Sequence, residues 1–127
     1  MVTVLLASAS VHTTAAACDL LAGWLEADDR LVHLGVVEAG VTKRDLADAA
    51  NVARGRLVAP AVEALVRTGD PPTVVAAVAD RRDVDHVVLG GARGDPSAAG
   101  SRPGSTVRAL LAADRWPVTV LPAAPSP

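Results

Sequence analysis

The 127-residue sequence contains no phenylalanine and no tyrosine, and Trp24 and Trp116 are its only large aromatic residues. Hydrophobic residues still make up 50% of the chain, so valine, leucine and alanine must build the core. The net charge at pH 7 is −2, and the basic residues are scattered along the chain. Because nucleic-acid interfaces typically combine a basic face with stacking aromatic side chains, this composition argues against a nucleic-acid partner.

Cysteine is almost absent as well. Cys18 is the single cysteine, so an internal disulfide is excluded and a cysteine-based metal site is not expected. Its helical spacing from Leu21 and Leu25 predicts that Cys18 is a small core residue. No segment reaches the roughly 18–20 apolar residues that span a bilayer, and no secretory signal opens the chain. We therefore expect a cytoplasmic protein with no membrane partner. The length predicts one domain at residues 1–122, followed by a disordered, proline-rich tail at residues 123–127.

Short apolar runs recur along the chain and predict strands that are buried on both faces of a parallel sheet. They lie at residues 2–7, 31–37, 62–67, 86–89 and 118–121. Segments with helical periodicity or capping signals alternate with them, at residues 15–25, 42–55, 73–82 and 105–114. We expect Thr13 or Thr14 to cap the first helix and Thr42 to cap the second. The alternation predicts an α/β fold, a five-stranded, parallel, doubly wound sheet with helices on both faces.

A glycine-rich stretch, GGARGDPSAAGSRPGST, separates the fourth predicted strand from the last predicted helix. In it, two residues separate Gly91 from Gly94. After nine more residues comes Gly104, directly before Ser105 and Thr106. Glycines let backbone N–H groups approach a ligand, and a helix start adds unpaired donors with a partial positive charge. The stretch therefore suits a phosphate, although a flexible loop with a helix cap fits the local sequence equally well.

This glycine spacing resembles the signature of the universal stress protein family, Gly-x2-Gly-x9-Gly-[Ser/Thr]. Residues 69–71 (Gly-Asp-Pro), residues 85–90 (Asp-His-Val-Val-Leu-Gly) and residues 117–118 (Pro-Val) resemble three further family motifs in order and spacing. The resemblance covers essentially the whole chain. Gly90 and Gly91 compete for the first glycine of the signature, and we favour Gly91 because it keeps the nine-residue gap.

The resemblance implies a regulatory stress protein that binds ATP or a related adenine nucleotide, without strong catalysis and at most with slow ATP hydrolysis. Adenine would lie near residues 7–9 and 36–37, and the phosphates, with Mg²⁺ as a possible companion, would lie at the glycines. It also implies a homodimer through the last strand, formed by Val118, Thr119, Val120 and Leu121. The residues that it assigns to nucleotide binding are Ala7, Ser8, Ala9, Val37, Gly91, Gly94, Gly104, Ser105 and Thr106.

Two features of the sequence depart from the family pattern. Ala9 stands where the family usually carries an Asp that helps to hold the nucleotide, and losing such a partner typically costs about 0.5–1.5 kcal/mol. In the loop, Asp95 would repel phosphates, whereas Arg93 and Arg102 would offset that repulsion. These departures leave open an alternative, a homologue that has lost nucleotide binding and acts as a dimeric interaction module.

The histidines give no clear sign of catalysis. His12, His33 and His86 lack the spacing of a metal site or a catalytic triad. We expect His33, which lies within an apolar strand, to be a structural or surface-edge histidine. His12 follows the first strand and is the histidine that we expect to border a ligand, if any does. No catalytic residue and no metal ligand is therefore predicted.

Overall fold

The computed structural model describes residues 1–38, 40–57, 60–90 and 105–121. Its strands are β1 (Thr3–Ala7), β2 (Arg30–Val37), β3 (Ala61–Thr68), β4 (His86–Leu89) and β5 (Val118–Val120). Its helices are α1 (Val11–Leu21), α2 (Lys43–Arg56), α3 (Pro71–Arg81) and α4 (Ser105–Ala113). Every strand pairing is parallel, in the order β3-β2-β1-β4-β5. The predicted five-stranded parallel α/β fold is therefore confirmed.

The sheet carries a separate hydrophobic cluster on each face, because successive side chains of a strand point to opposite sides. On one face, Leu6 of β1 packs in a cluster with residues of α1 and α2, including Cys18. On the other face, Leu5 shares a cluster with Val75 of α3 and Leu110 of α4. Both faces of β1 are thus covered, which explains why its sequence is a continuous apolar run.

Cys18 is a core residue, as predicted, with 1% of its surface exposed. Burial, followed by the nearby charge of Asp19, raises the pKa of its thiol to about 11. Since the thiolate is the reactive form of cysteine, this side chain behaves in the fold as a small apolar group.

The ends of two helices differ from the predictions. Ser10, and neither Thr13 nor Thr14, caps α1: its Oγ accepts a 3.1 Å hydrogen bond from the Thr13 amide. The prediction was wrong because Thr14 is fully buried and its hydroxyl donates to the Ser10 carbonyl instead. α1 also ends at Leu21, not at residue 25. α3 begins at Pro71, two residues earlier than predicted, since proline suits the first position of a helix.

The start of α2 follows the prediction closely. The Thr42 hydroxyl accepts from the Asp45 amide at 3.1 Å, and the Asp45 carboxylate accepts from the Thr42 amide at 3.0 Å. This reciprocal capping box satisfies two backbone donors that would otherwise lack partners within the helix.

Among the described residues, no helix is long and apolar enough to cross a membrane.

Candidate functional site

A cavity of about 250 Å³ opens at the carboxyl ends of β1, β2 and β4. The strand order reverses here, because the chain passes from β1 outward to β2 and β3 and then returns to β4 on the other side of β1. Such a reversal is the usual ligand site of an open parallel α/β sheet. The described lining residues are Ala7, Ser8, Ala9, Ser10, Thr13, Leu34, Val36, Glu38, Pro71, Val75, Leu89, Gly90, Ser105, Thr106 and Val107.

The first residues of three helices contribute to this lining. Thr13 belongs to the first turn of α1, Pro71 opens α3, and Ser105 and Thr106 open α4. Helix N-termini present unpaired N–H groups and a partial positive charge. α3 has fewer donors to give, since its first two residues are prolines, which have no N–H group. The Thr13 amide of α1 already donates to Ser10. The start of α4 is therefore the best candidate for holding an anion.

Ser8 belongs to a buried hydrogen-bond network behind the cavity. Its Oγ lies 2.6 Å from the Thr14 Oγ1 and 3.0 Å from the His33 Nε2. The only hydroxyl hydrogen of Thr14 goes to the Ser10 carbonyl at 2.7 Å, so Ser8 must donate to Thr14 and the His33 Nε2–H must donate to Ser8. The network thus assigns the proton of His33 to Nε2.

This arrangement decides the role of His33. The ring is 1% exposed, and burial lowers its pKa to about 4 against a smaller, opposing effect of the Ser8 backbone. Neutral His33 donates to Ser8 and does not take its proton, so the two do not form a nucleophile–base pair. The prediction of a structural histidine is confirmed. Its contact with Ser8 joins residues 25 positions apart, and no local pattern in the sequence indicates it.

Gly90 is the point at which α1 approaches the end of β4. A Cβ atom added to Gly90 would lie 2.9 Å from the Thr13 Cγ2, closer than real Cβ atoms pack. The Gly90 amide also donates to the Ala7 carbonyl, at 3.4 Å. The absent side chain thus lets the first turn of α1 close over the junction of β1 and β4, beside the cavity.

Most of the predicted site residues that the structure describes lie together. Five of them, from segments far apart in sequence, line the one cavity: Ala7, Ser8, Ala9, Ser105 and Thr106. The predicted Gly91, Gly94 and Gly104 lie outside the described residues, as do Arg93, Asp95 and Arg102.

Among the described residues of the predicted site, Val37 is the one that does not line the cavity. Leu34, Val36 and Glu38 alternate along β2 and its end, and all three line the cavity. The side chain of Val37 therefore points to the opposite face of the sheet, and a contact with a ligand would have to use its backbone.

Glu38 is the charged residue among the lining residues that the sequence did not predict. It is the only ionisable side chain among the described lining residues. The signal was present in the sequence, because a residue two positions after Val36 shares its face of the strand. Elsewhere, no group of three or more described His, Cys, Asp or Glu side chains is arranged to hold a metal ion.

A second cavity, of about 350 Å³, lies at the opposite, amino-terminal edge of the sheet. Arg30, Glu63 and Arg82 contribute to its lining, and Glu63 and Arg82 form an ion pair at 3.2 Å. α3 ends beside this cavity at Arg81, so the helix presents its partially negative end there. The cavity contains none of the predicted site residues.

Comparison with known proteins gives a consistent result. The model of the Universal stress protein family matches residues 9–122. No curated protein matches the sequence. Among solved structures, a universal stress protein in complex with cAMP is similar, with a TM-score of 0.70, 16% identity and coverage of 97% of this chain and 98% of that one.

Two further solved structures share the fold. Universal stress protein UspA from Lactobacillus plantarum has a TM-score of 0.67 and 19% identity, with 94% of this chain and 97% of that chain covered. The universal stress protein from Archaeoglobus fulgidus in complex with dAMP has a TM-score of 0.58 and 16% identity, with coverage of 94% and 97%. At these identities, the likeness establishes the fold.

Proposed function

Because the chain belongs to the universal stress protein family, we propose that it is a regulatory protein that binds ATP or a related adenine nucleotide. The observation that carries the proposal is the convergence of three distant segments, at residues 7–9, 90 and 105–106, on one cavity. Two structurally similar family members are complexes with cAMP and dAMP. Both ligands combine an adenine base with a phosphate, and the cavity offers suitable surroundings for each part.

The phosphate end of the ligand is assigned to α4. The N–H groups of its first turn have no partners within the helix, and Ser105 and Thr106, which both carry a hydroxyl group, line the cavity there. A phosphate suits this combination of donors and partial positive charge. Gly91, Gly94 and Gly104 remain the predicted continuation of the phosphate site. If Mg²⁺ accompanies the nucleotide, the phosphates, water and these hydroxyls supply the oxygen ligands that it prefers.

The base is assigned to the β1–β2 side. Leu34, Val36 and Val75 give this part of the cavity an apolar surface, and small side chains at Ala7 and Ala9 leave room above β1. The flat faces of an aromatic base such as adenine pack against apolar surfaces of this kind, and a few polar groups fix its orientation through the nitrogen atoms at its edge. The volume of about 250 Å³ is slightly below the range of small-molecule pockets, which begins at about 300 Å³.

Binding without strong catalysis agrees with the state of Ser8. Its hydroxyl donates to Thr14 and accepts from His33, so no base activates it as a nucleophile.

A calorimetric titration with ATP tests the proposal. We expect Thr106→Val to weaken binding by about 10- to 100-fold, because a hydrogen bond to a charged group contributes about 1.5–3 kcal/mol. Thr73→Val is the matched control, since Thr73 is also in the first turn of a helix but lies outside the cavity lining. Absence of binding at millimolar ATP would refute the proposal, and equal losses in both variants would refute the assignment of the phosphate to α4.

We also propose that the protein forms a homodimer through β5. Within the part of the chain that the structure describes, this strand pairs with β4 on one side only, and Val120 exposes 41% of its surface. An unpaired apolar edge of this kind is suited to pairing with a second strand. Light scattering should give twice the monomer mass, and Val120→Lys should lower it. A monomeric wild-type protein would contradict the proposed dimer.

The second candidate function is a dimeric interaction module that has lost nucleotide binding. Ala9 favours this function, because the cavity wall at this position carries a methyl group in place of the usual acid. It predicts an intact dimer that does not bind ATP, so the titration and the light-scattering measurement together separate the two candidates.

A further inference from the structure

We infer that Glu38 binds the ribose hydroxyls of the nucleotide and thereby makes the site selective for ribonucleotides. This inference rests on the proposed function. It concerns a residue that no sequence motif identified, and it starts from the distribution of charge around the cavity.

The cavity is polarised along the sheet. Glu38 follows β2, whereas Ser105 and Thr106 follow β4, and β1 lies between these two strands. A carboxylate therefore stands on one side of β1 and the partially positive end of α4 on the other. The described side chains between them, including Ala7, Ala9 and Leu89, carry no charge.

This polarity admits a nucleotide in one orientation. The carboxylate of Glu38 repels a phosphate, and the N-terminus of α4 attracts it. With the phosphate at α4, the sugar and the base extend toward β1 and β2. The uncharged lining near β1 leaves Glu38 as the strongest hydrogen-bond acceptor among the described side chains on that side.

A carboxylate at this point is suited to a ribose. Its two oxygens accept several hydrogen bonds, so it can serve the neighbouring 2′- and 3′-hydroxyls while keeping the interaction that it already makes within the protein. In dinucleotide-binding α/β folds, an acidic residue at the end of the second strand binds the ribose 2′-hydroxyl, while the phosphate lies at the helix between the first two strands. Glu38 shares with that residue its place at the end of the second strand, but the phosphate is assigned here to α4, on the other side of β1.

Ala9 makes the assignment more specific. Ala9 lines the same cavity after the end of β1, and its methyl group accepts no hydrogen bond. Sugar hydroxyls buried without an acceptor would weaken binding strongly. Glu38, on the adjacent strand, supplies the acceptor that the β1 side lacks.

The test is a double-mutant cycle between the protein and its ligand. Titrations with ATP, 2′-deoxy-ATP, 3′-deoxy-ATP and the triphosphate of purine riboside, which lacks the 6-amino group, are compared for the wild type and Glu38→Ala. We expect the wild type to prefer ATP over at least one deoxy analogue by about 10- to 100-fold. Glu38→Ala should bind ATP and that analogue equally, with the amino group contributing alike in both proteins.

Two further variants control for charge and folding. Glu38→Gln keeps the shape and a weaker acceptor, so it should retain part of the preference for ATP. Glu26→Gln makes the same charge change in the exposed turn after α1, outside the cavity lining, and should behave as the wild type. Urea unfolding of each variant identifies any loss of binding that comes from a damaged fold.

The results separate this inference from the proposed function. If the wild type binds ATP but does not distinguish it from the deoxy analogues, the role of Glu38 is refuted and the proposed function stands. A coupling of Glu38 to the 6-amino group, or an equal loss for all ligands, refutes the ribose contact as well. If the wild type binds no adenine nucleotide, both are refuted.

Discussion

Gly90→Ala tests whether α1 packs closely against the end of β4, beside the cavity. The new Cβ would lie 2.9 Å from the Thr13 Cγ2. The φ of Gly90 is outside the left-handed region, so alanine would meet a steric obstacle but no backbone strain. Overpacking of this kind typically costs about 1–3 kcal/mol. With a urea m-value of about 2 kcal/mol/M, the unfolding midpoint should fall by roughly 0.5–1.5 M.

A second substitution isolates the contact. Thr13→Ser removes the methyl group that the new Cβ at position 90 would meet, so the cost of Gly90→Ala should be clearly smaller in the Thr13→Ser background. Gly55→Ala is the matched glycine control, because a Cβ on Gly55 has no atom within 4 Å. Because Gly55 lies in the last turn of α2, alanine there should stabilise the protein by at most about 0.5–1 kcal/mol. A Gly90→Ala cost that Thr13→Ser does not reduce would refute the steric explanation.

Three further predictions concern folding and protonation. Burial and a thiol pKa of about 11 should make Cys18 react with Ellman's reagent at pH 8 at least about 100-fold more slowly in the native protein than in urea; equal rates would contradict its burial. Burial lowers the His33 pKa from 6.5 to about 4, so the unfolded chain binds more protons between these values. Stability should then fall by about 3 kcal/mol as the pH drops from about 6.5 to 4, and an unchanged pH slope in His33→Gln would exclude this source. Thr42→Ala removes the capping box of α2 and should cost about 1 kcal/mol in urea unfolding, whereas an unchanged midpoint would show that the cap is not stabilising.

The fold could be predicted because it depends on patterns that are local in sequence. Strands covered on both faces need continuous apolar runs, and β1 and β4 have them. The start of α2 could be predicted as well, because the side chains of Thr42 and Asp45 accept hydrogen bonds from each other's backbone amides within one turn. These features can be predicted from neighbouring residues alone, because they do not depend on contacts between distant parts of the chain.

The prediction of the α1 cap was wrong because contacts between residues far apart in the sequence determine which hydroxyl caps the helix. Three hydroxyl residues, Ser10, Thr13 and Thr14, compete at the start of α1, and the outcome depends on the burial of Thr14 beside Ser8 and His33. No local pattern contains that information.

For the candidate site, the sequence identified most of the described segments but not the direction of each side chain. Its position at the end of the strand predicts Val37 as a site residue, whereas alternation along β2 directs Val36 and Glu38 into the cavity. Which residues of β2 face the cavity depends on how β2 pairs with its neighbours. In the sheet, Leu34 pairs with Ala7 of β1, and this pairing cannot be read from the sequence of β2 alone.

The most direct test of the central claim is an NMR titration of the ¹⁵N-labelled protein with ATP. The amide signals of Ser8, Gly90 and Thr106 should shift together and saturate, because all three line the cavity at the carboxyl ends of the strands. Those of Arg30 and Arg82, at the second cavity, should stay in place. The absence of shifts at millimolar ATP, or shifts confined to Arg30 and Arg82, would contradict the account.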